Sequence, residues 1–327
     1  MYNKKNVIII VGFIGIFAVL NYATIIGSSE NLNKGVVKST KIPELSTFEQ
    51  IHYFKTVDEK PSFELEAKSL KITNGDLMDF KAPTGFLLAS NKKISYEADQ
   101  GFLNQGRQML FLEGNVKLVD NLSNYSSDKL NYDGKREVIH AKGSVVSKII
   151  DMKSKDTIKV KGEKLISYLK KEHVSIEGQV EGKIVRSRRY ESGYDFSTEF
   201  MVYKGLKSRL ELVKSVKLYR NKHYLTAGRA EIFLENYNKK LKYYTLYDDV
   251  KLEETFELES GKKQFRRAYG EKLEGQQSTG KIILTGAPRV EQGGDIIKGY
   301  QITLRESVDL VEVDDSQSNF SLKKDKK

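Results

Sequence analysis

The sequence predicts an all-β fold, an open roll or sandwich of repeated strand–turn–strand units, behind one N-terminal transmembrane helix. Three observations carry this. A seven-residue pattern, apolar at alternate positions and closing on Gly-x-Val, recurs along most of the 327-residue chain. Asn, Asp and Gly punctuate the copies as turn signals, as in "VDNLSN", "NYDGKRE" and "VEQGGD", and no amphipathic helix of ordinary length interrupts the series after residue 60. The long stretch between Pro83 and Pro288 has no proline, which suits strands that must donate to hydrogen-bonded ladders. A parallel β-helix is the rival, but its coils are usually shorter than this period and it needs fewer polar hairpin turns.

Residues 1–27 come first. Lys4 and Lys5 precede an uncharged run from Val7 to Leu20, and apolar character continues to Ile26. At 1.5 Å per residue, Val7–Ile26 would span roughly 30 Å, the hydrocarbon thickness. A cleaved leader needs small residues at its cut, and Gly27–Ser29 makes a poor site. The reading is an uncleaved single-pass anchor. Lysines ahead of the span keep the N-terminus cytoplasmic and put the remainder across the membrane, in the periplasm of a two-membrane bacterium. Residues 28–60 read as a tether, and 316–327 as a charged tail. The absence of cysteine excludes a disulfide framework and thiolate metal sites. A net charge of +11 favours anionic partners without choosing among them.

The repeat occupies the rest. It reads "LFLEGNV" (110–116), "IHAKGSV" (139–145), "VSIEGQV" (174–180), "LELVKSV" (210–216), "YTLYDDV" (244–250) and "IILTGAP" (282–288). Its glycine slot falls at 114, 143, 178, 214, 248 and 286, roughly 30–40 residues apart. Lys214 and Asp248 replace the glycine in two copies, and their opposite charges suggest an ion pair between stacked repeats. A second signature, one small residue, two polar and one apolar, lies between copies: "SDKL" (127–130), "GEKL" (162–165), "STEF" (197–200) and "GEKL" (270–273). One strand poses a question. In "VSIEGQVEGKI" (174–184), Gly178 and Gly182 occupy the apolar parity, where a buried face should carry side chains. A bend, a close approach or room for a ligand would each explain them.

Catalytic patterns are missing. There is no phosphate-binding loop, no H-E-x-x-H and no G-x-S-x-G, and His52, His140, His173 and His223 are scattered singly. Adjacent carboxylates such as Glu253–Glu254 and Asp314–Asp315 point to opposite faces of a strand. The sequence therefore predicts neither enzyme nor metal site, and no cofactor. "RSRRY" (186–190) and "QFRRAY" (264–269) mix Arg with aromatics, as a base-stacking groove or a phosphate-contacting surface would. An exported, anchored domain meets no nucleic acid, and charged turns at strand ends are the plainer reading.

Taken together, "LFLEGNVKLVDN", "YSSDKLNYDGKREVIHAKGSVV" and "IKVKGEKLISYLKKEHVSIEGQV", behind an N-terminal anchor, resemble the LptC-type component of lipopolysaccharide export. "IILTGAPRVEQGGDIIKGYQITL" resembles the related LptA bridge, of the OstA-like superfamily. The resemblance implies an open β-jellyroll, two antiparallel sheets facing across an apolar slot, with an LptC-like roll at 61–185 and an LptA-like continuation or second lobe at 186–315. It implies non-enzymatic transfer of lipopolysaccharide or a similar lipid, accepted from inner-membrane ABC transporter subunits and handed to a periplasmic bridge protein. A structural or adhesive β-solenoid with a filled core is the alternative.

The inward parity then predicts the lipid-facing residues: Leu110, Leu112, Val116, Leu118, Leu130, Tyr132, Ile139, Val145, Val174, Ile176, Val180, Ile184, Leu212 and Val216. The same residues would equally fill a closed core. Exposed edges for strand-to-strand docking are expected at Phe63 and Leu65 on the N-terminal side and at Ile302, Leu304, Val308 and Leu310 on the C-terminal side.

Overall fold

The repeat folds as a meander of long antiparallel strands, each bent at its middle. The computed structural model describes residues 45–327, apart from 58–59, 74–75, 189–190, 235–243, 258–260, 277–278, 306–310, 315–316 and 320–327. The expected membrane helix and the first part of the tether lie outside the described residues, among which no helix is long and apolar enough to cross a membrane.

Ten strands form the body: β7 (Met109–Val119), β8 (Ser123–Asp133), β9 (Val138–Ile150), β10 (Thr157–Tyr168), β11 (His173–Val185), β12 (Tyr194–Lys204), β13 (Arg209–Arg220), β14 (His223–Phe233), β15 (Tyr244–Glu257) and β16 (Lys263–Gln276). Each pairs with the next, and every pairing shifts register near its middle. All the pairings are antiparallel, which excludes the parallel β-helix. The ladder between β11 and β12 runs from His173↔Lys204 to Ile184↔Tyr194, so one sheet continues through the expected boundary at 185/186.

The register shifts explain the repeat. All six glycine-slot residues have left-handed backbone, with φ 80° at Gly114, 79° at Gly143, 84° at Gly178, 67° at Lys214, 67° at Asp248 and 78° at Gly286. The next residue is left-handed too: Asn115, Ser144, Gln179, Ser215, Asp249 and Ala287, with φ between 43° and 53°. Two consecutive left-handed residues make a bulge that bends the strand while returning its apolar parity to the same side. Thus in β7 Leu110, Leu112, Val116 and Leu118 are all buried. Glycine dominates the slot because a Cβ is disfavoured there.

The two sequence signatures are halves of one motif. An acid lies beneath each glycine bulge: Asp99, in the link just ahead of Gln100, at Gly114, and on the preceding strand Asp128 at Gly143, Glu163 at Gly178 and Glu271 at Gly286. Where lysine fills the slot, Lys214 meets Glu199 at 4.0 Å, and Ser215 Oγ donates to Glu199 at 2.9 Å. At the fifth bulge the roles are exchanged. Asp248 is in the bulge and Gly228 lies beneath it. The expected Lys214–Asp248 pair does not form, because each is matched by a residue of the adjacent strand within its own bulge.

The bends divide the sheet into two halves. At the N-terminal end, β6 (Gln100–Asn104) pairs with the first half of β7, and β5 (Lys92–Glu97) with the second. They continue into β3 (Leu77–Lys81) and β4 (Thr84–Ala89) respectively, and both of these join β2 (Lys60–Thr73). At the C-terminal end, β16 forks at Gly286 onto β17 (Lys281–Thr285) and β18 (Arg289–Gln292). One half-sheet then adds β20 (Gln301–Arg305) and β21 (Val311–Asp314), the other β19 (Asp295–Lys298) and β22 (Gln317–Asn319). The result is jellyroll-like, but a single hydrogen-bonded sheet folded along its bulges takes the place of two separate sheets. Residues from both halves join one apolar core.

Two expectations about the ends change. β1 (Leu45–Val57) pairs along β2, so part of the expected tether is strand, and β22 begins inside the expected tail. Consequently Phe63 and Leu65 are not at an edge, since β2 has β1 on one side and β3 and β4 on the other. Ile302 and Leu304 are likewise internal and fully buried, between β17 and β21. Val308 and Leu310 lie outside the described residues.

Candidate functional site

The strands bend toward each other, so the hairpin turns of one half-sheet face those of the other along a lateral seam. Beneath the N-terminal part of this seam lies an apolar slot of about 410 Å³. Tyr53, Phe63 and Leu87 line it from one half-sheet; Leu103, Leu110 and Tyr132 line it from the other. Lys55, Ser62, Gln105 and Gln108 rim it. The aromatic wall is ordered by ring contacts, Tyr53 edge-on to Phe63 at 6.2 Å and Phe63 stacked on Tyr96 at 6.0 Å. Burial and the charges of Glu137 and Asp133 push the Tyr132 hydroxyl up to about 12, so it presents a neutral group to the slot.

Of the predicted lipid-facing residues, Leu110 and Tyr132 line this slot. Val174 borders a much smaller void of about 40 Å³ further along the seam, with Tyr125, Leu169 and Tyr203. Leu112 and Leu130 lie under an outer-face depression of about 550 Å³ that carries Phe102, Phe111, His140 and Ile166 beside Lys129, Lys142 and Lys164. The other nine, Val116, Leu118, Ile139, Val145, Ile176, Val180, Ile184, Leu212 and Val216, pack in the continuous core. Sequence reasoning missed Tyr53, Leu87 and Leu103. Tyr53 falls in the stretch read as a tether, although Ile51 and Tyr53 alternate there with Gln50 and His52.

The glycines of β11 have other uses. A Cβ on Gly178 would lie 2.6 Å from the Glu163 carboxyl group, and one on Gly182 would enter the Phe196 ring. Gly178 therefore serves the bend and Glu163, and Gly182 the buried Phe196. Neither adjoins the slot.

The C-terminal part of the seam is filled with paired charge. Arg186 is buried and donates to Asp156 at 2.6 Å and to the Leu234 and Phe233 carbonyls opposite at 3.3 and 3.4 Å. Fully buried Asp151 accepts from Tyr203 at 2.8 Å and Ser208 at 3.1 Å. Arg266, also fully buried, donates to Glu254 at 2.6 Å through Nε and to the Arg305 carbonyl at 3.1 Å, over the Phe256 ring. Both Arg-aromatic motifs thus spend their leading arginines, Arg186 and Arg266, inside the protein, where they cannot stack on bases. His52, Glu64 and Glu66 bring three ligand atoms within 4.8 Å on the outer face of β1 and β2, where His52 and Glu64 are 3.3 Å apart. This surface grouping was not expected from sequence.

Glu254 gives the cluster a pH dependence. Burial pushes its carboxyl up, but the hydrogen bond from His223 at 2.6 Å and the Arg266 charge outweigh this and hold it below the ordinary range. A depressed folded-state pKa contributes stability above the unfolded value, and that contribution is lost as pH falls through the folded one. Urea midpoints measured from pH 6 down to pH 3 should fall more steeply for the native chain than for Glu254→Gln; parallel curves would refute the assignment.

The fold and slot define a jellyroll-like β protein with an apolar space between its half-sheets. The sequence model of the LptC-related lipopolysaccharide-assembly family matches residues 7–185, more than half of the chain, and the chain belongs to that family. The model of the LptA and LptD N-terminal-domain lipopolysaccharide transport proteins matches residues 197–308. Among solved structures, the chain is similar to LptH, the LptA homologue of Pseudomonas aeruginosa, at 11% identity and a TM-score of 0.35, over 39% of this chain and 95% of that one. The search of curated proteins found no match.

Proposed function

We propose that the protein is a non-enzymatic component of periplasmic lipopolysaccharide transport that holds acyl chains in the slot between its half-sheets. The observation that carries this reading is the slot itself, apolar on both walls and rimmed by polar groups, in the part of the chain that matches the LptC-related family. Removing acyl methylenes from water is worth roughly 0.8 kcal/mol each, enough to hold a lipid without any bond to it. The predicted core-facing residues beyond the slot would serve as its extension when the half-sheets separate.

Docking to inner-membrane ABC transporter subunits belongs to β1. Among the described residues it pairs only with β2, and it exposes Phe48 and Phe54 beside its free edge. The opposite end, β21 and β22, would meet a periplasmic bridge protein. Residues 1–27 would anchor the chain in the inner membrane. The alternative, an anchored structural or adhesive β-scaffold, draws on the filled core of β13–β16, where Leu212, Leu225, Leu246 and Leu252 have no exposed surface.

Photocrosslinking separates the two. A benzophenone amino acid at Leu103 or Tyr132 in cells should capture lipopolysaccharide, and one at outward-facing Val119 should not. Absence of a lipid adduct from every slot position, in a chain that accumulates normally, would leave the scaffold reading.

A further inference from the structure

The seam is not uniform along the roll. Over the slot and the small void next to it, the two half-sheets touch through isolated, partly exposed contacts. Gln105 donates to Tyr53 at 2.8 Å, Ser90 donates to Glu137, and Lys92 lies 3.7 Å from Glu172 with both side chains about a quarter exposed. From Asp151 onward the contacts are buried and interlocked. Tyr203 and Ser208 close on Asp151, and Arg186 bridges Asp156 to the carbonyls opposite; above this buried cluster, exposed Lys153 reaches the Leu206 carbonyl at 3.2 Å. Tyr194 meets Tyr244 edge-on across the seam at 5.8 Å, and Arg266 reaches Arg305. Exposed ion pairs exchange readily with water, whereas buried ones resist separation because each opened charge would be left without a partner.

We infer that acyl chains enter sideways, through the seam between the turn at Ser90 and the turn at Glu137, and that the Asp151 clasp marks where the opening stops. The inference rests on the carrier reading above. It divides one continuous sheet into a half that opens and a half that stays shut, and it puts the admission point directly over Leu87, Leu103, Leu110 and Tyr132. Lys55 and Lys92 flank that stretch of seam, where an anionic headgroup would remain outside as its chains pass inward.

The absence of native cysteine allows a clean test. Ser90→Cys with Glu137→Cys, joined by a short bifunctional thiol reagent, would hold the first contact closed in the full-length chain. Lys153→Cys with Leu206→Cys, joined likewise, would hold the clasp. Uptake of purified lipopolysaccharide and of a dansyl-labelled long-chain fatty acid is then measured against the untreated variants. Joining 90 to 137 should reduce uptake at least tenfold, and joining 153 to 206 should leave it within twofold. Undiminished uptake across the 90–137 link, or an equal loss from both links, overturns the inference while the carrier reading stands. An untreated chain that takes up neither lipid overturns both.

Discussion

Replacing Arg266 with methionine should lower stability by about 3–5 kcal/mol, the cost of leaving one partner of a buried ion pair without the other. Arg266 has no exposed surface, and its guanidinium serves Glu254, the Arg305 carbonyl and, at 3.4 Å, Gln292. Methionine fills much the same length but leaves Glu254 buried beside His223 and the carbonyl unserved. Reversible urea denaturation of native, Arg266→Met, Glu254→Gln and double variants would measure the coupling. The double variant should recover at least about 1 kcal/mol relative to the sum of the singles, because residues sharing one network are not additive. Simple additivity would mean that the pair is incidental to closure of the C-terminal seam.

Gly178→Val should cost about 3 kcal/mol, the left-handed backbone and the crowding of Glu163 each contributing 1–2 kcal/mol or more. The loss comes from the bend, so Glu163→Ala in the same chain should recover the crowding part only. Lys214→Gly is the converse test at the equivalent slot. It relieves a non-glycine residue at φ 67° and gives up an exposed ion pair with Glu199. Greater freedom of glycine in the unfolded chain offsets some of the gain, leaving a net stabilisation of up to about 1 kcal/mol. If Gly178→Val folds as stably as the native chain but loses lipid uptake, the glycine serves the ligand and the bend assignment is wrong.

Much of the fold was legible because the interactions that set it are local and periodic. Alternation in "LFLEGNVKL" names the buried face of β7 without knowledge of its neighbours. The recurrence of Gly-x-Val every few tens of residues marks a backbone conformation that few residues tolerate. The site was less legible. Leu110 and Leu112 look alike in sequence, yet Leu110 lines the slot and Leu112 packs beneath an outer depression. The difference depends on what the opposite half-sheet places over each of them. The edges failed for a related reason. Phe63 and Leu65 have the alternation of any strand, and pairing from β1 puts them one strand inside the sheet. Arg186 and Arg266 read as surface charges because most arginines are; their acids, Asp156 and Glu254, lie 30 and 12 residues away.

By itself the sequence determined an antiparallel, repeat-built β protein, its inward parity, the positions of its bends and its likeness to lipopolysaccharide-export proteins. Side-chain alternation and glycine backbone preference are properties of a few consecutive residues, so they survive in the linear order. Only the tertiary structure decided which inward residues face open space, that Gly178 answers to Glu163 and Gly182 to Phe196, and that charge closes one half of the seam while the other is lightly held. Those outcomes depend on contacts between turns from opposite half-sheets, and such contacts exist only after every bulge has bent its strand.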